Sequence, residues 1–165
     1  MGGIVEADRI ISAHQKSAPV QTIDIAEALG IKVYKVGNWP DNISAMIRKD
    51  EERGGSSGYA IYVNDKHPRV RRRFSIAHEI AHFALHRSLI GDGITDDAMY
   101  RSNMSNAVEA QANRMAADIL MPWHLIREAT DSGLNTVEAL ARHFDVSKST
   151  MSIQLGVPYE TKQPA

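Results

Sequence analysis

The chain has 165 residues, enough for one domain with a real core, and 43% of them are hydrophobic against 24% charged, an ordinary balance for a globular protein. With 19 Lys and Arg, 20 Asp and Glu and a formal net charge of −1, no global basic field draws it to nucleic acid. It has no cysteine and so no disulfide framework, and it shows neither a membrane-length apolar stretch nor a signal-peptide pattern, which makes the cytoplasm the expected compartment.

In chain order, Val5 to Gln15 is amphipathic and reads as a helix, and Asp24 to Leu29 as a second one stopped by Gly30. The period then changes from helical to alternating. Ile31 to Val36, Ile43 to Ile47 and Tyr59 to Val63 are three strand candidates, the last two separated by the Gly54–Gly58 connection. Pro68 to His86 reads as one helix, with Val70, Phe74, Ala77, Ala81 and Ala84 recurring at spacings of three and four behind a first-turn proline. A small twisted antiparallel sheet packed on that helix is the expected architecture, an α+β fold. The whole of 1–165 reads as a single domain: helical 1–30, a core over 31–122, a helical 123–156 and a tail 157–165.

The helix carries His78-Glu79-Ile80-Ala81-His82. Residues four apart lie on one helix face, so two neutral imidazoles there can grip one Zn²⁺ ion. Glu79 then sits where a general base for a zinc-activated water belongs. The alternative is a core helix with two satisfied histidines, which leaves Glu79 without a purpose. A hydrolytic zinc site takes a third protein ligand, here His, Asp or Glu. His86 shares the face, but three ligands in line on one helix cannot surround a tetrahedral ion. Glu109 is the better candidate. It stands on the first turn of a second helix, Asn106 to Leu120, whose apolar stripe is Val108, Ala112, Met115 and Ile119. A Glu favoured by the helix dipole is the commoner explanation for such a position taken alone. Asn113 and Asp118 on the same helix are candidates for fixing the imidazoles through their outer nitrogens.

Between the two helices, Ser88 to Ser105 is rich in Gly, Asp and Ser, and a loop of that length is expected to rim the cleft. Tyr100 and Arg101 within it are candidates for stabilising the transition state, with a core-packed Tyr as the other reading. The run Arg69 to Arg73 has four Arg at a helix start, where the dipole disfavours cations, so a solvated or partner-facing end is expected rather than a phosphate patch. Asn135 to Leu155 has the pattern of a helix-turn-helix, with Asn135 and Glu138 as a capping pair, a turn at Asp145–Ser147, and Ser147 capping a second helix that ends before Gly156. That second helix offers only Lys148 and Gln154 to a duplex, so it is expected to pack on protein, and DNA contact to be weak.

The run from Arg72 to Phe83 (RRFSIAHEIAHF), followed by Glu109 to Pro122 (EAQANRMAADILMP), resembles the ImmA/IrrE family of zinc metallopeptidases. The resemblance covers roughly Ile23 to Leu155, with Met115 where Phe is frequent, an apolar exchange that touches no chemistry. It implies a zincin-like fold, one Zn²⁺ per chain on His78, His82 and Glu109, and Glu79 as the base. It also implies cleavage of helix-turn-helix repressors in mobile-element control and bacterial stress responses. The rival from another class is a non-catalytic transcription regulator that binds a repressor through a structural metal site, and a third reading is a zinc hydrolase of small molecules. An intact Glu79 argues against the structural site.

Overall fold

The computed structural model describes residues 3–90 and 105–158. Two helices, α1 (Gly3–Ala13) and α2 (Thr22–Ala28), lead into three strands, β1 (Ile31–Val36), β2 (Ala45–Lys49) and β3 (Tyr59–Asn64). Then come α3 (Arg69–Leu85), a single 3₁₀ turn at Arg87–Leu89, α4 (Asn106–Leu120), α5 (Trp123–Asp131), α6 (Val137–Phe144) and α7 (Lys148–Leu155). The fold is α+β, as the sequence leads one to expect.

The sheet departs from the expected all-antiparallel pairing. Its order is β1-β3-β2, with β2 antiparallel to β3 but β1 parallel to it. The reason is burial. All six residues of β3 are buried, so it takes the centre, while β2 ends in Arg48 and Lys49 and goes to an edge. Alternation then sorts the faces: Tyr59, Ile61 and Val63 join the main core under the helices, and Ala60 and Tyr62 join a smaller cluster with Met46 on the other face. There the Tyr62 hydroxyl donates to Asp50 Oδ2 at 2.5 Å, and Asp50 Oδ1 accepts the N–H groups of Glu52 and Arg53, which fixes the β2–β3 turn. The Tyr62 hydroxyl, with those amides, holds the Asp50 carboxyl below its usual range against the opposing effect of burial.

β2 begins two residues later than expected because Ile43 N–H bonds Pro40 O and turns the chain. The strand continues through Arg48, whose guanidinium lies 5.1 Å from the Tyr62 ring centroid, so its stem serves the pleated face despite the charge. Gly30 ends α2 with φ +83, and a Cβ there would come within 2.6 Å of Ser56 Oγ and 2.9 Å of Ser57 N. Its carbonyl accepts from both the backbone and the hydroxyl of Ser57, which anchors the turn before β3 to the start of β1.

α3 runs through the middle of the molecule. Ala77 and Ala81 are fully buried and allow close approach on one side, while Ile76, Ile80 and Phe83 fill the core. α4 packs directly against it through Ala112 and Ala116, both without exposure. Ser105 caps α4 by accepting from Val108 N–H, and Gln15 beyond α1 closes its other end by donating to the carbonyls of Asp118 and Ile119.

The arginine run is structural for the most part. Arg73, buried, donates to the carbonyls of Phe144 and Asp145 and so caps the C-terminus of α6. Arg69 pairs with Asp145 at 2.6 Å, Arg72 donates to His67 O, and Arg71 reaches Ser44 Oγ. Burial lowers the pKa of Arg73, and Asp145 opposes that. Asp145 itself sits at φ 59, the left-handed turn between α6 and α7. Arg73→Met is expected to cost about 2–4 kcal/mol, because it leaves two helix-end carbonyls without their donor and Asp145 with Arg69 alone. A drop in the urea midpoint relative to the parent chain checks this, and an unchanged midpoint would show that the tie contributes nothing.

The cap of α6 is Thr136, one residue past the expected Asn135: its hydroxyl accepts from Ala139 N–H at 3.0 Å. Glu138 therefore falls one position short of a capping box. Ser147 caps α7 through Thr150 N–H, and Gly156 closes it at φ 71. Gln154, one of the two side chains with duplex-reading chemistry, instead donates to Asp118 Oδ1 on α4 and to Met121 O just past its end. Met151 is buried and Ile153 is 79% exposed, so α7 packs on the core by one face only.

Candidate metal centre

Two helices, α3 and α4, bring the site together. On α3, His78 is half-buried, His82 has no exposure and Glu79 is 2% exposed. The helical spacing sets the two imidazoles edge to face, with centroids 4.6 Å apart and planes at 85°. Their Nε2 atoms are 3.1 Å apart. From the first turn of α4, Glu109 Oε1 comes within 3.0 Å of His78 Nε2 and 3.5 Å of His82 Nε2. Among the described residues, these three form a cluster of metal-ligating side chains.

Three lone-pair atoms converge here, and the chemistry of the set suits a cation. Metal–ligand bonds of about 2.0–2.1 Å in tetrahedral geometry put neighbouring ligand atoms about 3.3 Å apart. The observed 3.0, 3.1 and 3.5 Å bracket that edge. Glu109 Oε2 is buried without a hydrogen-bond partner, a cost that a bound cation would offset. Two imidazoles and a carboxylate are a donor set for zinc in its open, hydrolytic form. The set contains no thiolate, so it does not match the closed four-cysteine type.

A cleft of about 370 Å³ opens beside this cluster, lined by His78, Glu79 and Phe74 of α3 and by residues 42–45 at the start of β2. β2 is an edge strand, so the cleft runs along the sheet margin. A second cavity of about 810 Å³ lies between α4, α5 and α7, and Phe74 belongs to both.

Asn113 and Asp118 lie on the wall of that second cavity, and Asp118 accepts from Gln154. The hydrogen bond to the outer nitrogen of His82 comes from elsewhere. His82 Nδ1 is 3.0 Å from His86 Nδ1, and His86 Nε2 is 2.7 Å from Gln111 Oε1. The repeated spacing of four from His78 to His82 to His86 is the signal in the sequence for the first of these. Nothing in the spacing marks Gln111, which reaches His86 from another helix. Tyr100 and Arg101 lie outside the described residues.

The sequence profile of the peptidase M78 family, described as the IrrE N-terminal-like domain, matches residues 26–155. The chain belongs to that family. A solved Mycobacterium tuberculosis transcriptional regulator shares its fold, with a TM-score of 0.61 and 20% identity over 96% of this chain. This chain spans about half of that one, 48% of its length. No curated protein sequence gives a significant match.

Proposed function

We propose that the chain is a zinc-dependent endopeptidase whose substrate is a helix-turn-helix transcriptional repressor. The observation that carries this reading is the convergence of His78, His82 and Glu109, with Glu79 buried beside them at the floor of an open cleft. A zinc ion held by the three ligands supplies Lewis acidity, which acidifies water and polarises the scissile carbonyl. The chain supplies the rest. Glu79 takes the proton of the attacking water and returns it to the leaving amine. The cleft lies beside the edge strand β2, where an extended substrate segment can lie along the sheet margin. Phe74, between the two cavities, offers an apolar contact to a substrate side chain.

The family membership supports peptidase chemistry; the repressor is the part of the reading that the resemblance implies. The rival, a non-catalytic regulator that holds its repressor through a structural metal site, draws on the regulator that shares this fold. A structural site has no need of a buried carboxylate facing a cleft. Incubating the zinc-loaded protein with the product of the neighbouring gene, as the candidate repressor, with and without chelator, tests the proposal. Discrete fragments that vanish with chelator are expected, and an intact repressor in both arms would leave the binding-only reading standing.

A further inference from the structure

A ring that ligates through Nε2 must keep that nitrogen bare, and a neutral imidazole then carries its proton on Nδ1. His82 has no exposure and His86 only 7%, so water does not decide where their protons sit. Their Nδ1 atoms face each other at 3.0 Å, and two facing ring nitrogens form a bond with one proton between them. The far end of the chain selects its owner. His86 Nε2 lies 2.7 Å from Gln111 Oε1, and an amide oxygen only accepts. His86 therefore carries its proton on Nε2 and presents a bare Nδ1. His82 Nδ1 must donate to it, which leaves His82 Nε2 bare, 3.1 Å from His78 Nε2 and 3.5 Å from Glu109 Oε1.

We propose that His86 and Gln111 are positioning residues that hold His82 in its metal-ready tautomer, with the amide of Gln111 setting the direction of the relay. α4 thus makes two contributions from one turn, a carboxylate toward the ligand cluster and the terminal acceptor of the relay. With the Gln111 amide turned about, its NH₂ group would donate to His86, the relay would run backwards, and His82 would carry its proton on the nitrogen that faces Glu109. The role in ligation rests on the metal-centre reading above; the tautomer itself does not.

The test has two parts. Long-range proton–nitrogen spectra of the zinc-free, nitrogen-15-labelled protein, recorded above the titration range of its imidazoles, read each tautomer directly. His82 protonated on Nδ1 and His86 on Nε2 is the expected result, and His82 protonated on Nε2 overturns the proposal. Gln111 is exposed, so its substitution leaves the core intact. Gln111→Leu is expected to mix the His82 tautomers and weaken zinc binding about tenfold to a hundredfold. Gln111→Glu keeps an acceptor and is expected to retain both the tautomer and the affinity within a few-fold. A Leu variant that binds zinc as the parent does, or equal losses in both variants, would also overturn it. A parent protein that takes up no zinc would end the metal-centre reading, while the spectra would still decide the relay.

Discussion

Glu79→Gln is expected to take up zinc and fold as the parent does while peptide cleavage falls by about 10²–10⁴-fold. The substitution keeps the shape of a side chain that is 2% exposed, so packing on α3 is preserved. It removes the one property the mechanism requires, a basic oxygen beside the attacking water. Zinc content and cleavage rate measured on the same preparation separate the two effects. A variant that cleaves near the parent rate would move the base to another residue, and one that loses zinc with activity would place Glu79 among the ligands.

Glu109→Ala is expected to lose high-affinity zinc. Two histidines on one helix remain, and the loss should exceed the roughly tenfold to hundredfold that changes around the ligands cost. Without metal the substitution should be mild, with the Oε1 contact to His78 as its main loss. Glu109 is half-buried on a first turn, and its Oε2 has no hydrogen-bond partner to lose. Zinc binding to the folded chain alone raises stability by about 2.7 kcal/mol at a hundred times the dissociation constant. Melting curves with and without zinc should therefore separate for the parent chain and superimpose for Glu109→Ala. Equal zinc-induced shifts in both would remove Glu109 from the site.

Much of this architecture is legible in the sequence because it depends on local spacing. The reading of 68–86 as a helix matches α3 at Arg69–Leu85, and 106–120 matches α4 at Asn106–Leu120. Helical periodicity and a capping serine are properties of neighbours in the chain, and so are two imidazoles one turn apart. Strand pairing is another matter. Alternation tells which face Tyr59 and Ile61 present, but β1 runs parallel to β3 only because β3, buried on both faces, takes the centre of the sheet. The arginine run is similar. Nothing between Arg69 and Arg73 announces Asp145, which the fold brings to Arg69 and Arg73 from the turn before α7. At the site, His86 is marked by its spacing, but its role depends on Gln111, and that contact exists only once α4 lies on α3.

The most direct measurement of the central claim is cleavage of the repressor in water enriched in oxygen-18, followed by mass spectrometry of the fragments. A hydrolysis in which Glu79 deprotonates the attacking water predicts one new internal cleavage site, with a single heavy oxygen in the new C-terminal carboxylate of the upstream fragment. The signal should be absent with Glu79→Gln and with chelator. An intact repressor with the zinc-loaded parent chain, or fragments that persist unchanged when Glu79 is replaced, would contradict the account.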